Sequence, residues 1–119
     1  MTTKEIADRL VMHCRKSAWE SAQRELFADH AISIEQYATP AFVKETKGLP
    51  AIVEKGKKFE AMVEKMHGLT VSDPVAAESS FACTMQMDVT MKGQGRMNMT
   101  ELCVYEVKNG KIVSEQFHL

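Results

Sequence analysis

The stretch VYEVKNGKIVSEQFHL, residues 104–119, decides how this chain folds. Asn109 and Gly110 form the dipeptide of a β-hairpin turn, because both tolerate the left-handed backbone that joins two twisted strands. The arm that follows alternates Val113, Glu115, Phe117 and Leu119, so a carboxylate interrupts an otherwise apolar face. Two registers compete. A two-residue loop sets Glu101 opposite His118, Cys103 opposite Gln116 and Tyr105 opposite Ser114, placing apolar residues beside polar ones. A three-residue loop, Lys108 to Gly110 with Gly110 left-handed in a bulge, sets Tyr105 opposite Val113, Cys103 opposite Glu115, Glu101 opposite Phe117 and Met99 opposite Leu119. A one-residue slip turns every side chain to the other face, so the apolar pattern selects the second register. Glu101 and Glu115 are then both expected on an inner face with methionines, phenylalanines and Tyr105.

The chain before the hairpin extends the same face. FACTMQMDVTM (81–91) puts Phe81, Cys83, Met85, Met87, Val89 and Met91 on one side, and RMNMTELCVYEV (96–107) does so with Met97, Met99, Glu101, Cys103, Tyr105 and Val107. Asp73-Pro74 breaks an earlier strand, as at a bulge or sheet edge. Upstream the period becomes helical. Ile6, Leu10 and His13/Cys14 mark a first helix from about Thr3 to Arg15, with Thr3 as the expected N-cap. Trp19, Ala22, Leu26 and Phe27 mark a second, ending near Asp29. AISIEQ (31–36) reads as a short strand. Gly48-Leu49-Pro50 opens a third helix with the seam Ile52, Gly56, Phe59, Val63 and Met66, closed by His67-Gly68. The order α-α-β-α-β-β-β-β, helices early and an antiparallel meander late, is an α+β fold with helices covering one face of a sheet.

At 119 residues, with 45% hydrophobic and 26% charged, the chain has the make-up of one domain spanning residues 1–119. Folding a chain of this length removes roughly two-thirds of its unfolded surface from water, enough for one core and a small cavity. A formal charge of −1 offers no basic footprint, so nucleic acid and anionic membrane are not expected partners. No window approaches the roughly 20 apolar residues of a membrane span, and the start lacks an apolar signal core, so a cytoplasmic location is expected. Cys14, Cys83 and Cys103 are widely spaced and read as small buried hydrophobes.

LFADHAISIE, TKGLPAIVEKGKKF, MHGLTVSDP and MTELCVYEVKNGKIVSEQF, taken together and in this order, resemble the SnoaL-like branch of the nuclear-transport-factor-2-like superfamily, over nearly the whole chain. The resemblance implies a cystatin-like cone, a strongly curved antiparallel sheet wrapped around a long helix with a hollow at its wide end. Relatives include polyketide cyclases, ketosteroid isomerase, dehydratases and epoxide hydrolases. In the ketosteroid-isomerase-like relatives a carboxylate base ends the first strand, which corresponds here to Glu35. Their proton-holding carboxyl on the penultimate strand corresponds to Glu101. Their tyrosine on the first helix falls between Val11 and His13, where this chain has none, so His13 is the polar group offered instead. The relatives also commonly dimerise through the outer face of the sheet, here expected to carry Leu102, Val104 and Ile112.

The candidate catalytic residues are therefore Glu35, Glu101 and His13. A carboxylate in apolar surroundings resists ionisation, which tunes it for proton transfer near neutral pH. Trp19, Phe59, Met85, Met99, Tyr105, Glu115 and Phe117 are the residues expected to line a hollow for a small apolar or amphipathic molecule. Ordinary structural roles stand beside these: inward carboxylates also pair with a buried cation, and a histidine on an apolar helix face also serves the core. His13, His67, Glu35 and Glu101 lack the spacing of a metal site, and no phosphate loop or dinucleotide fingerprint is present, so neither metal nor cofactor is expected. The leading reading is a cofactor-free isomerase, lyase or hydrolase. A non-catalytic ligand-binding or dimerisation module, and an accessory domain with no pocket, remain open beside it.

Overall fold

The computed structural model describes all of residues 1–119. Its elements are α1 (Thr3–Arg15), α2 (Trp19–Leu26), β1 (Phe27–Ile34), β2 (Glu45–Lys47), α3 (Leu49–Met62), β3 (Val63–Val71), β4 (Val75–Ala76), β5 (Ser80–Met91), β6 (Gly95–Lys108) and β7 (Lys111–His118). The strands form one sheet in the order β2-β1-β7-β6-β5-β3, with β4 added beside β5. The meander is antiparallel as expected, whereas β1 lies parallel to β7 and makes the sheet mixed. This is the expected α+β architecture. No helix is long and apolar enough to cross a membrane.

Alternation places the core. Every second residue of β5 from Phe81 to Met91 is buried, and Cys103 and Tyr105 of β6 join them. Ile6, Leu10, Val11 and Cys14 of α1, Ala22 and Leu26 of α2, and Ile52 of α3 close over that face. The three cysteines are buried and unbridged.

The hairpin differs from the expected register. Lys108 pairs with Lys111 across a two-residue Asn109-Gly110 turn, in which both residues are left-handed (φ 54° and 74°). That turn matches the twist of the strands better than a three-residue loop. The penalty of apolar beside polar is then removed by a bulge, because the register shifts between Glu106 and Val107 and leaves Val113 as the extra residue. Beyond it Tyr105 faces Glu115 and Cys103 faces Phe117, two residues displaced from the expected pairs but on the same faces. The two-residue turn also sets Ile112 opposite Val107 and into the core, where it is fully buried, rather than onto the outer face with Leu102 and Val104.

Three boundaries move for identifiable reasons. Thr2, not Thr3, caps α1: its hydroxyl accepts from the Glu5 amide at 3.1 Å while the Glu5 carboxylate accepts from the Thr2 amide at 2.9 Å. That reciprocal pair needs the Thr-x-x-Glu spacing, which Thr2 satisfies. Helix α2 stops at Leu26, because Phe27 is extended and pairs with Ile112 of β7. Helix α3 stops at Met62, since Val63 onward finds hydrogen-bond partners along β5, starting with Val63 opposite Met91. His67 therefore lies on β3 and bonds Thr90 Oγ1 at 2.6 Å instead of capping a helix.

Candidate active site

The parallel β1–β7 pair sets Ser33 beside Glu115. Both are buried, Ser33 completely and Glu115 to 6% exposure. The Ser33 hydroxyl donates to Glu115 Oε2 at 2.6 Å. From the facing side of α3, Lys55 Nζ donates to Ser33 Oγ at 2.9 Å and to Glu35 Oε2 at 3.0 Å. The same ammonium lies 5.4 Å from the centre of the Phe117 ring. A continuous chain Glu35, Lys55, Ser33, Glu115 thus joins the end of β1, the middle of α3 and β7.

Lys55 reaches this point because it follows Ile52 by three residues and precedes Phe59 by four, which places it on the buried seam of α3. It sits beside Gly56, which faces the Gln23 side chain of α2 at ordinary contact distance. Glu101, on β6 opposite Met85, completes the group. It has no side-chain hydrogen-bond partner, and all buried side-chain polar atoms elsewhere are satisfied, so its carboxylate oxygens open onto space rather than protein.

That space is a cavity of about 160 Å³ bordered by Glu35, Lys55, Glu101 and Glu115 at its polar end and by Trp19, Phe27, Phe42, Phe59, Tyr105, Phe117, Met85 and Met87 along its walls. Phe42 comes from the connection between β1 and β2, and Lys58 of α3 holds that connection by donating to the Ala41 carbonyl and lying 5.2 Å from the Phe42 ring. The volume matches the ~150 Å³ of an apolar cavity that accepts a benzene-sized guest.

Burial sets the electrostatics. It raises the Glu115 carboxyl from 4.5 to about 7, against the Ser33 hydrogen bond and the Lys55 charge, which lower it, and with Glu35 and Glu101, which raise it further. Glu101 is also raised, first by burial and then by the Glu35 charge, with Lys55 opposing. Cys14, which touches the cavity, has its thiol pushed up to about 12 by burial, then by Cys83 and Glu115, so it is no thiolate nucleophile. Glu115 can carry or release a proton near neutral pH, and Glu101, held above the ordinary carboxylate range by burial, stands with it beside one fixed ammonium.

Of the residues expected from the sequence, Glu35, Glu101, Trp19, Phe59, Met85, Tyr105, Glu115 and Phe117 meet at this cavity. His13 does not. Its Nε2 lies 2.8 Å from Glu25 Oε1, and Arg9 grips the same carboxylate with two bonds of 2.9 and 2.7 Å, so His13 belongs to an ion cluster joining α1 to α2. Met99 shares the inner face but lies one pair further along β6, opposite Met87, and packs against the core away from the cavity. Met87, one of the methionines expected on the inner face, also lines the wall, whereas Ser33, Lys55 and Phe42 were not anticipated. The helical spacing of Lys55 between Ile52 and Phe59 was the available signal for the cation, and the inner-face phase of Met87 was the signal for that wall.

The model of the SnoaL-like domain family matches residues 1–119. A Mesorhizobium loti structure, described as a candidate SnoaL-like polyketide cyclase with the bracketed name carbohydrate phosphatase, is 31% identical over 100% of both chains, with a TM-score of 0.92. A candidate isomerase from Bacillus subtilis is 21% identical over 98% of this chain and 88% of its own, with a TM-score of 0.75. A Xanthomonas campestris protein of unknown function with a cystatin-like fold is 14% identical over 98% and 89%, with a TM-score of 0.82. The last two share the fold alone. No functionally curated protein matches the chain. From the full-length family match, the sequence identity to the Mesorhizobium loti protein and the shared architecture, the chain belongs to the SnoaL-like domain family.

Proposed function

We propose that this protein moves a proton on a small apolar or amphipathic molecule, as an isomerase or lyase whose acid and base are its own side chains. The observation that carries the proposal is Glu101, a carboxylate without a protein partner that opens onto an apolar cavity beside Lys55. Glu101 removes a proton from carbon next to a carbonyl group. Lys55 has three N–H donors, of which Ser33 and Glu35 take two, and the third stabilises the oxygen on which negative charge develops. Glu115, poised at about 7, exchanges a proton with solvent or product near neutral pH.

The cyclase description of the Mesorhizobium loti relative fits the same first step, since ring closure by carbon attack also begins with removal of such a proton. A cavity of about 160 Å³ favours a substrate of one ring over a multi-ring polyketide. Turnover of a panel of ring-sized enolisable ketones and epoxides by the wild-type protein, Glu101→Gln and Glu35→Gln tests the assignment. The expected loss for Glu101→Gln is about 10² to 10⁴-fold in kcat. Equal turnover by all three proteins would rule out the acid/base assignment, and no turnover by the wild-type protein would leave the cavity as a non-catalytic binding site.

A further inference from the structure

Lys55 is the one cation on the cavity wall, facing Glu35, Glu101 and Glu115. Its ammonium is already engaged by Glu35 and Ser33 and lies over the Phe117 ring. An anion entering the cavity would meet carboxylates from β6, β7 and the end of β1, and would have to compete with Glu35 for Lys55. In a partly buried site, one like-charge contact outweighs about a tenfold difference in affinity. An anion is therefore disfavoured, while a neutral carbonyl oxygen can accept the remaining Lys55 N–H without displacing either partner.

Building on the acid/base reading above, we infer that the cavity selects an uncharged carbonyl compound of one-ring size and rejects the anion of the same shape, with Glu101 as the residue that enforces the rejection. Negative charge then arises inside the site during reaction and is not carried in with the ligand. Discrimination of this kind is built from repulsion as well as from fit.

The test is calorimetric titration at pH 8 of the wild-type protein and Glu101→Gln with acetophenone and benzoate, which share one ring and differ in charge. Acetophenone is expected to bind the wild-type protein at least about tenfold more tightly than benzoate. Glu101→Gln is expected to narrow the gap between acetophenone and benzoate by strengthening benzoate. Benzoate binding the wild-type protein as tightly as acetophenone, or no acetophenone binding, overturns the inference; the wild-type ranking decides alone if the variant does not fold. Selective acetophenone binding without turnover would defeat the catalytic reading and leave the charge selection standing, whereas turnover without selectivity would do the opposite.

Discussion

Ser33 and Glu115 lie 82 residues apart in the chain and 2.6 Å apart in the fold, hydroxyl to carboxylate, both buried. The pair exists because β1 runs parallel to β7, and it ties the first strand to the last at the polar end of the cavity. Ser33→Ala removes the donor that lowers the Glu115 carboxyl, so that carboxyl rises above its present value of about 7. With Glu115 ionised at pH 8 the substitution should cost about 1 to 3 kcal/mol. At pH 5, where Glu115 is protonated, the cost should be smaller. Urea unfolding at the two pH values measures the difference, and equal losses would contradict it.

Glu115 also predicts a pH slope with a definite sign. Its folded carboxyl sits at about 7 against an ordinary 4.5, so the native state binds the proton more tightly than the unfolded chain. Stability from this group is complete below pH 4.5, falls as pH rises to 7, and then levels, a loss of roughly 3 kcal/mol. Glu115→Gln keeps an oxygen to accept from Ser33 but cannot ionise. It should flatten this window and raise stability at pH 8 by about 1 to 3 kcal/mol. Glu25 acts in a separate window: Arg9 and then His13 hold its carboxyl at about 2, so its contribution is present above 4.5 and lost on acidification. Comparing the wild-type protein with Glu115→Gln by chemical denaturation from pH 4.5 to 8 isolates the Glu115 effect, since the raised Glu101 is common to both.

Lys55→Met tests the cation. The substitution fills similar space, removes the partner of Glu35 and the bond to Ser33, and leaves the carboxylates without compensation. Glu101 and Glu115 should both titrate at higher pH, because Lys55 lowers each of them in the wild-type protein. Breaking such a pair should cost about 3 kcal/mol at pH 8 and less at pH 5. A variant as stable as the wild type at pH 8, with unmoved carboxyls, would show that Lys55 does not bind the site together.

The turn offers a local test. Asn109 and Gly110 are both left-handed. Asn109→Ala should cost about 1 kcal/mol, whereas Asn109→Gly should be within a few tenths of wild type. Thermal melts distinguish these from a three-residue loop, in which Asn109 would not need a left-handed conformation and the alanine variant would melt with the parent.

The inner face was legible because strand alternation fixes parity independently of register. Glu101, Glu115, Tyr105 and Phe117 therefore fall where the pattern puts them, even though the pairing is displaced by two residues. The turn and the bulge each shift the register by one, and two such shifts restore the face. Val113 carries no side-chain signal for the bulge, so the displacement itself was not readable. The end of α3 was hidden for a different reason: Val63 and Met66 continue the helical seam, and only the partner strand β5 makes extension more favourable. Ser33 is a small polar residue whose importance depends on the parallel neighbour β7, a contact between distant segments that local pattern does not contain. His13 has helical phase toward the core, but Glu25 captures it from α2 before it can reach the cavity.

Carboxyls on separate strands face one apolar cavity, where burial raises Glu101 and brings Glu115 to about 7. Carbon-13 NMR of the protein labelled at the glutamate carboxyl, titrated from pH 3 to 9 with Glu101→Gln and Glu115→Gln for assignment, tests it most directly. The account predicts a Glu115 midpoint of about 7 and a Glu101 midpoint above the ordinary carboxyl range, with both signals shifting when acetophenone is added. Both carboxyls titrating near 4.5, unmoved by ligand, would contradict it.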